Sequence, residues 1–402
     1  MRRWFSDVPD LSGPARTTRR PRVLRIITRL AVGGVSTHVT LANQGLTRRG
    51  WETLLIHGSV QPDELEIDLA IPDVAMRRIE TLARPIRPMA DLRTAASLLD
   101  VVRSFRPDII HTHHSKAGLV GRLVAMLADT PRIHTFHGHV FEGYFGPTTS
   151  AAIVAAERVL GARTSRLIAL GPLQRQDLLS RGIGHPDRFE IVPLGLDLER
   201  YRSPDRASAR RQLGLSAEAI VVVSVGRLAP IKRIDRLIRS FAMVHARHPE
   251  SRLYLIGDGS ERPAAEAQVM EAGLGDAVIF CGWRTDTPTW YAAADFVALS
   301  SDNEGTPLAL IEAAAAGRPA AASAVGGVAD VVTDGVTGLL APAGDEVALA
   351  DAMLRLADDP ELRARLGAAA PGNADGFGIE RLVDDLERIY EELLGLTRQG
   401  TR

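Results

Sequence analysis

Short apolar runs alternate along the chain with stretches in which apolar residues recur every three or four positions. The runs Val23-Leu-Arg-Ile-Ile27, Glu52-Thr-Leu-Leu-Ile56, Asp108-Ile-Ile-His111, Arg132-Ile-His-Thr135 and Arg166-Leu-Ile-Ala169 read as strands. Between and after them, helical spacing runs from Val35 to Arg49 (stopped by Gly50), Ala90 to Phe105, Ala117 to Leu127, Ser150 to Leu160 and Gly171 to Ser180. The pattern then restarts with Ile220-Val-Val-Val-Ser-Val225. This nearly pure β-branched run is what a central parallel strand, covered on both faces, requires. A helix from Asp235 to His248, a strand Arg252–Ile256 and a helix Ala264–Ala272 follow. Strands near 278 and 295, a helix from 307 and a strand at 319–322 come next. Beyond a Gly- and Pro-containing break at 371–378, a last amphipathic helix spans Ile379–Leu396. Such alternation predicts an α/β protein built from two doubly wound, Rossmann-like parallel sheets facing a central cleft. Ligands of such sheets sit beyond the carboxyl ends of strands, so chemistry is expected in the loops that follow them.

The segment Pro193–Pro204, with its glycine and two prolines, reads as the hinge. The expected organisation is a disordered Arg-rich lead-in over 1–20, a first domain over 21–200, a second over 201–375 and a terminal helix over 376–402. With 402 residues, 45% apolar, 24% charged and a net charge of −1, the composition is that of a soluble enzyme without the basic bias of a nucleic-acid binder. Cys281 is the sole cysteine, which excludes an intrachain disulfide and a cysteine-based metal cluster; it reads as a small buried apolar group. No run reaches the ~18 apolar residues of a spanning helix.

Candidate chemistry follows the strands, as expected. The run Ala294–Leu299 leads into Ser300-Ser-Asp-Asn-Glu304-Gly-Thr-Pro-Leu-Ala-Leu-Ile-Glu312. Thr306 suits a helix N-cap, Pro307 the first helical position and Gly317 the residue after the last turn. The amides of the stretch Gly305 to Leu308, Pro307 included, would face a phosphate at that helix start. Glu304 and Glu312 flank it as acceptors for sugar hydroxyls. After Val225 come Gly226, Arg227 and, five residues on, Lys232; the two cations can converge on one anion. Gly33-Gly34 follows the first strand and Gly326-Gly327 the strand at 319–322; each pair permits close backbone approach to a ligand. Gly257-Asp-Gly259-Ser-Glu-Arg262 lacks the third glycine of a dinucleotide fingerprint. Six of the 11 histidines lie between His111 and His139. Their spacing is not the i, i+4 helical pair of a zincin, so a metal is not expected.

The two glutamates eight apart, preceded in order by a Gly-Gly loop, His137-Gly138 and Gly226-Arg227…Lys232, resemble the signature of retaining glycosyltransferases of family 4, which have the GT-B fold. The resemblance covers roughly residues 22–395. It implies a hexosyltransferase that moves a sugar from a nucleotide-sugar donor, most often a UDP-sugar, to a hydroxyl acceptor without a metal or other cofactor. It implies that Arg227 and Lys232 hold the donor diphosphate, that His137 and Glu304 reach the transferred sugar, and that Glu312 accepts from the ribose. Trp283 and Arg284 match the place where such enzymes hold the nucleobase. His113 and Lys116 would line the acceptor side, and the terminal helix would return to the first domain. Blocks Asp108-Ile-Ile-His-Thr-His and Thr135-Phe-His-Gly-His are similar to members that assemble bacterial surface and capsular polysaccharide. That likeness implies a lipid-linked saccharide acceptor, and a cytoplasmic enzyme in peripheral contact with the inner face of the cell membrane. Arginines at 77, 78, 84, 87, 93, 103 and 106, and those of the N-terminus, suit an anionic surface. Two other functions fit the same architecture: a nucleotide-sugar 2-epimerase and a non-catalytic sugar-nucleotide-binding protein.

Overall fold

The structure is a computed structural model; it describes residues 19–61, 64–67, 71–137, 147–202 and 205–396. The lead-in up to residue 18, and Gly138 and His139 of the His-Gly loop, lie outside the described residues.

Seven parallel strands form the first sheet: β1 (Arg22–Ile27), β2 (Glu52–His57), β3 (Met76–Arg78), β4 (Ile109–His113), β5 (Arg132–Thr135), β6 (Arg166–Ala169) and β7 (Phe189–Ile191). Their order is β3-β2-β1-β4-β5-β6-β7. Six more form the second: β8 (Val221–Val225), β9 (Arg252–Ile256), β10 (Val278–Gly282), β11 (Phe296–Leu299), β12 (Ala320–Ser323) and β13 (Gly338–Ala341), ordered β10-β9-β8-β11-β12-β13. Strand order reverses between β1 and β4 in one sheet and between β8 and β11 in the other. At these switch points adjacent connections leave toward opposite faces and open a crevice. Gly33-Gly34, the loop from Gly226 to Lys232 and the loop from Ser300 to Pro307 all begin there.

The two-residue period of each strand divides its side chains between two buried faces. In the first sheet, Leu24, Ile26, Ile56 and Ile110 pack under the helices Pro88–Phe105 and Ser115–Leu127. On the other face Val23, Ile109, Ile133 and Ile168 meet Leu382, Val383, Leu386 and Ile389. These last four belong to the terminal helix Ile379–Leu394, which therefore completes the first domain. Charges fix its placement: Arg49 pairs with Glu380, Asp384 and Glu387, and Trp51 Nε1 donates to Glu387 at 2.9 Å. The two chain crossings between domains run side by side, with Leu196 N–H donating to Phe377 O at 2.8 Å and Ile379 N–H to Leu196 O at 3.0 Å.

Four features differ from the sequence reading. The strands β3, β7 and β13 have three or four residues, too few to show a period. The helices Arg206–Leu213, Thr287–Ala293 and Glu346–Asp358 were not anticipated. The break expected at 371–378 is narrower: the helix Pro360–Ala374 runs through Pro371, and the break falls at Asp375–Gly378. Proline costs that helix a hydrogen bond near its end, and full burial of Leu366, Ala370 and Ala374 offsets it. Cys281, expected in the core, is half-buried, and burial pushes its thiol up to about 11.

Candidate active site

Across the switch point of the second sheet, Lys232 Nζ lies 2.6 Å from Glu304 Oε1. Each comes from the loop after a central strand. A short 3-10 turn, Pro230–Lys232, presents the lysine. Its carbonyl and that of Arg233 accept from Ser300 Oγ at 2.9 and 2.8 Å, which ties the two loops together. Ser301 Oγ adds a bond to the same Glu304 oxygen at 2.5 Å, and Glu304 is only 7% exposed. Arg227 and Lys232 line one small recess with Gly226 and Ser300. Arg227 is exposed and makes no ion pair among the described residues. The recess thus carries a free guanidinium and an ammonium, and the ammonium is bonded to a buried carboxylate.

The helix after this loop starts at Leu308, one residue later than expected, and Pro307 takes the N-cap position. Thr306 does not cap it; no side chain does. Proline has no N–H, and the amides of Gly305, Thr306 and Leu308 donate to no group among the described residues. They remain free donors beside Lys232, the condition for binding an oxyanion. Glu312, on this helix, accepts from the Tyr291 hydroxyl at 2.8 Å. Burial pushes its carboxyl above the usual range, opposed by hydrogen bonds from Tyr291 and Tyr201. Neither tyrosine was anticipated. The mixed composition of Thr287–Ala293 and the isolation of Tyr201 from any apolar run hid them.

From the first domain, Gly34 abuts this helix directly: a Cβ there would fall 2.0 Å from Leu308 Cδ1. Gly33 has open space around its Cα and φ +151, so the Gly-Gly pair serves both the turn and the close approach of the domains. Gly326-Gly327 does something other than expected. Side chains there would strike Glu304 O at 1.8 Å and Gly305 O at 2.0 Å, and the Gly327 amide donates to Glu304 O. This pair is spent on buttressing the Glu304 loop, which leaves the Gly327 amide unavailable to a phosphate.

The histidines form one packed cluster at the carboxyl ends of β4 and β5. His113 is fully buried, held between Arg25 Nη2 at 3.0 Å and His137 Nε2 at 2.9 Å. His111 lies between Tyr390 and Thr135, and His134 against Thr112. Burial, reinforced by His111 and Arg25 at His113 and by His38 and other neighbouring imidazoles at His137, lowers both well below the ordinary histidine range. A cationic His137 is thereby disfavoured, and His113 is set behind it rather than on an acceptor surface. Lys116 is likewise committed: it pairs with Asp91 at 2.5 Å and donates to Pro85 O, pinning the helix Pro88–Phe105. Trp283 and Arg284 follow the edge strand β10, two strands from the switch point. Trp283 is 46% exposed, and Arg284 is paired with Asp286 at 2.6 Å.

Residues 33–195 match the family described as glycosyl transferase 4-like domain, and residues 205–372 that described as glycosyl transferases group 1. A D-inositol 3-phosphate glycosyltransferase of Saccharomonospora viridis is 31% identical over 391 residues, 91% of this chain and 90% of that protein. One from Kribbella flavida is 37% identical over 290 residues, 68% of each. Among solved structures, sucrose-phosphate synthase from Thermosynechococcus elongatus superposes with TM-score 0.82 at 25% identity, over 94% of this chain and all of that one. Anabaena HepE in complex with UDP gives 0.78 at 23%, over 92% and 100%, a likeness of fold.

Proposed function

The chain belongs to the family 4 glycosyltransferases of the GT-B fold, and we propose that it moves a hexosyl group, with retention, from a UDP-sugar to a hydroxyl acceptor. The observation that carries this reading is the recess lined by Arg227 and Lys232, with Lys232 bonded to Glu304 and the amides of Gly305, Thr306 and Leu308, just after that carboxylate in the chain, unpaired among the described residues. On this reading Arg227, Lys232 and those amides grip the donor diphosphate. As the glycosidic bond breaks, negative charge grows on that group, and preorganised cations stabilise it without a metal. Displacing Lys232 from Glu304 onto the diphosphate releases the carboxylate to accept from sugar hydroxyls. His137 donates to the sugar as a neutral imidazole. Glu312 exchanges one tyrosine bond for the ribose. The acceptor hydroxyl attacks the anomeric carbon from the face that the diphosphate vacates. Closure of Gly34 onto Leu308 shields the reaction from water.

For the acceptor, the reading is a lipid-linked saccharide at the inner face of the membrane. Its support is a strip at the start of the helix Pro88–Phe105, where Ile86, Met89 and Leu92 are 79%, 67% and 64% exposed among Arg84, Arg87 and Arg93. An apolar strip ringed by arginines suits an anionic bilayer. A second reading, a phosphorylated cyclitol, rests on the names of the relatives above. Incubation with UDP-sugars and either D-inositol 3-phosphate or a lipid-linked saccharide, followed by mass spectrometry, tests both. Release of UDP with one glycosylated acceptor supports transfer. Formation of an epimeric UDP-sugar without an acceptor favours an epimerase, and neither product favours a binding protein.

A further inference from the structure

Arg25 is a fully buried cation in β1 that pairs with no carboxylate among the described residues. Its Nη1 donates to Val39 O at 3.3 Å, and its Nη2 meets His113 Nε2 at 3.0 Å. A guanidinium can only donate, so His113 must accept at Nε2. A neutral imidazole that accepts at Nε2 carries its proton on Nδ1. His113 Nδ1 lies 2.9 Å from His137 Nε2, so it donates and His137 accepts there. The same rule then places the proton of His137 on Nδ1. That atom is buried and has no hydrogen-bond partner among the described residues. An unmet buried donor is destabilising, a penalty that an oxygen acceptor from a ligand removes.

We infer that Arg25, acting through His113, fixes His137 in the tautomer whose Nδ1–H is the donor offered to the transferred sugar. Arg25 and His113 are positioning residues; neither reaches the substrate. The arrangement also resists protonation of His137. An imidazolium would turn Nε2 into a donor facing the Nδ1–H of His113, and His113 could yield only by turning its own Nε2–H against Arg25. His38, edge-on to the His137 ring at 5.4 Å, does not compete for the chain, because its Nδ1 accepts from the Gly195 amide. This inference rests on the reading that His137 contacts the sugar, and the test separates the two.

Histidine-selective ¹⁵N NMR of the full-length protein reads the tautomers directly, with His113→Gln and His137→Gln giving the assignments. Both rings are expected as Nδ1–H across the neutral range. A wild-type spectrum with His137 protonated at Nε2 overturns the relay, whatever the variants do. In Arg25→Met, which removes the donor and keeps the bulk, His137 is expected to populate both tautomers. Turnover should fall about tenfold, the scale of one misdirected hydrogen bond, with UDP affinity unchanged. Arg25→Lys, which still donates, should restore most of the loss. An unaltered His137 tautomer in a folded Arg25→Met overturns the proposal. Normal turnover in His137→Ala would instead refute the sugar contact while leaving the tautomer measurement standing.

Discussion

The ammonium of Lys232 and the carboxylate of Glu304, 2.6 Å apart, close a salt bridge over the point where the donor diphosphate is proposed to sit. In the unliganded protein each neutralises the other. Catalysis on this account requires the pair to part. Lys232→Ala should therefore cut turnover by about two orders of magnitude or more, the scale of removing one charge-stabilising group. Glu304→Gln should also lower turnover, yet bind UDP at least as tightly as wild type, because it frees Lys232. Steady-state kinetics and calorimetric UDP titration check this; weaker UDP binding by Glu304→Gln would count against the exchange.

Contact between Gly34 and Leu308 makes a second prediction. A Cβ at Gly34 would fall 2.0 Å from Leu308 Cδ1, so Gly34→Val props the domains apart. Turnover should drop while thermal stability changes little. Adding Leu308→Ala should recover activity, since the obstruction is between two side chains. A double variant no better than Gly34→Val alone would refute closure at this point.

Glu312 links stability to pH. Burial pushes its folded pKa above the ordinary glutamate range. Its contribution is therefore full below the unfolded pKa and is lost as pH rises through the folded value. Glu312→Gln abolishes that loss, so its melting temperature should gain on that of wild type as pH rises above the ordinary carboxylate range. Tyr291→Phe removes a hydrogen bond that favours the carboxylate and should steepen the decline. Parallel melting curves for both variants would contradict this assignment.

The terminal helix belongs energetically to the first domain. Leu386 is 1% exposed and packs against the β1–β4–β5–β6 face. Leu386→Ala should cost about 2–5 kcal/mol, the usual range for a buried leucine. Chemical denaturation monitored at Trp51, whose indole bonds Glu387 on that helix, reads the loss where it occurs. A transition confined to the second domain would be the wrong outcome.

Much of this architecture was legible because the strands that matter are central. Val221–Val225 and Ile109–His113 are buried almost throughout, and the apolar residues that lead each run announce it. The loops that follow them carry the glycines and charges, so Lys232 and Glu304 could be paired with one site before their contact was known. Partner choice was not legible. Nothing local distinguishes Lys116, spent on Asp91, from Lys232, poised at the recess, because each commitment depends on a segment distant in sequence. Gly326-Gly327 looked like a phosphate loop for the same reason: glycine marks close approach, and only the fold tells whether ligand or backbone approaches. Tyr201 and Tyr291 went unseen because a hydroxyl reaching a buried carboxylate leaves no periodic trace.

A crystal structure with a bound UDP-sugar tests the central claim most directly. The account predicts Lys232 Nζ swung from Glu304 onto the diphosphate, with Arg227 and the amides of Gly305, Thr306 and Leu308 at about 3 Å from its oxygens. A diphosphate held elsewhere, with the Lys232–Glu304 bridge intact, would contradict it.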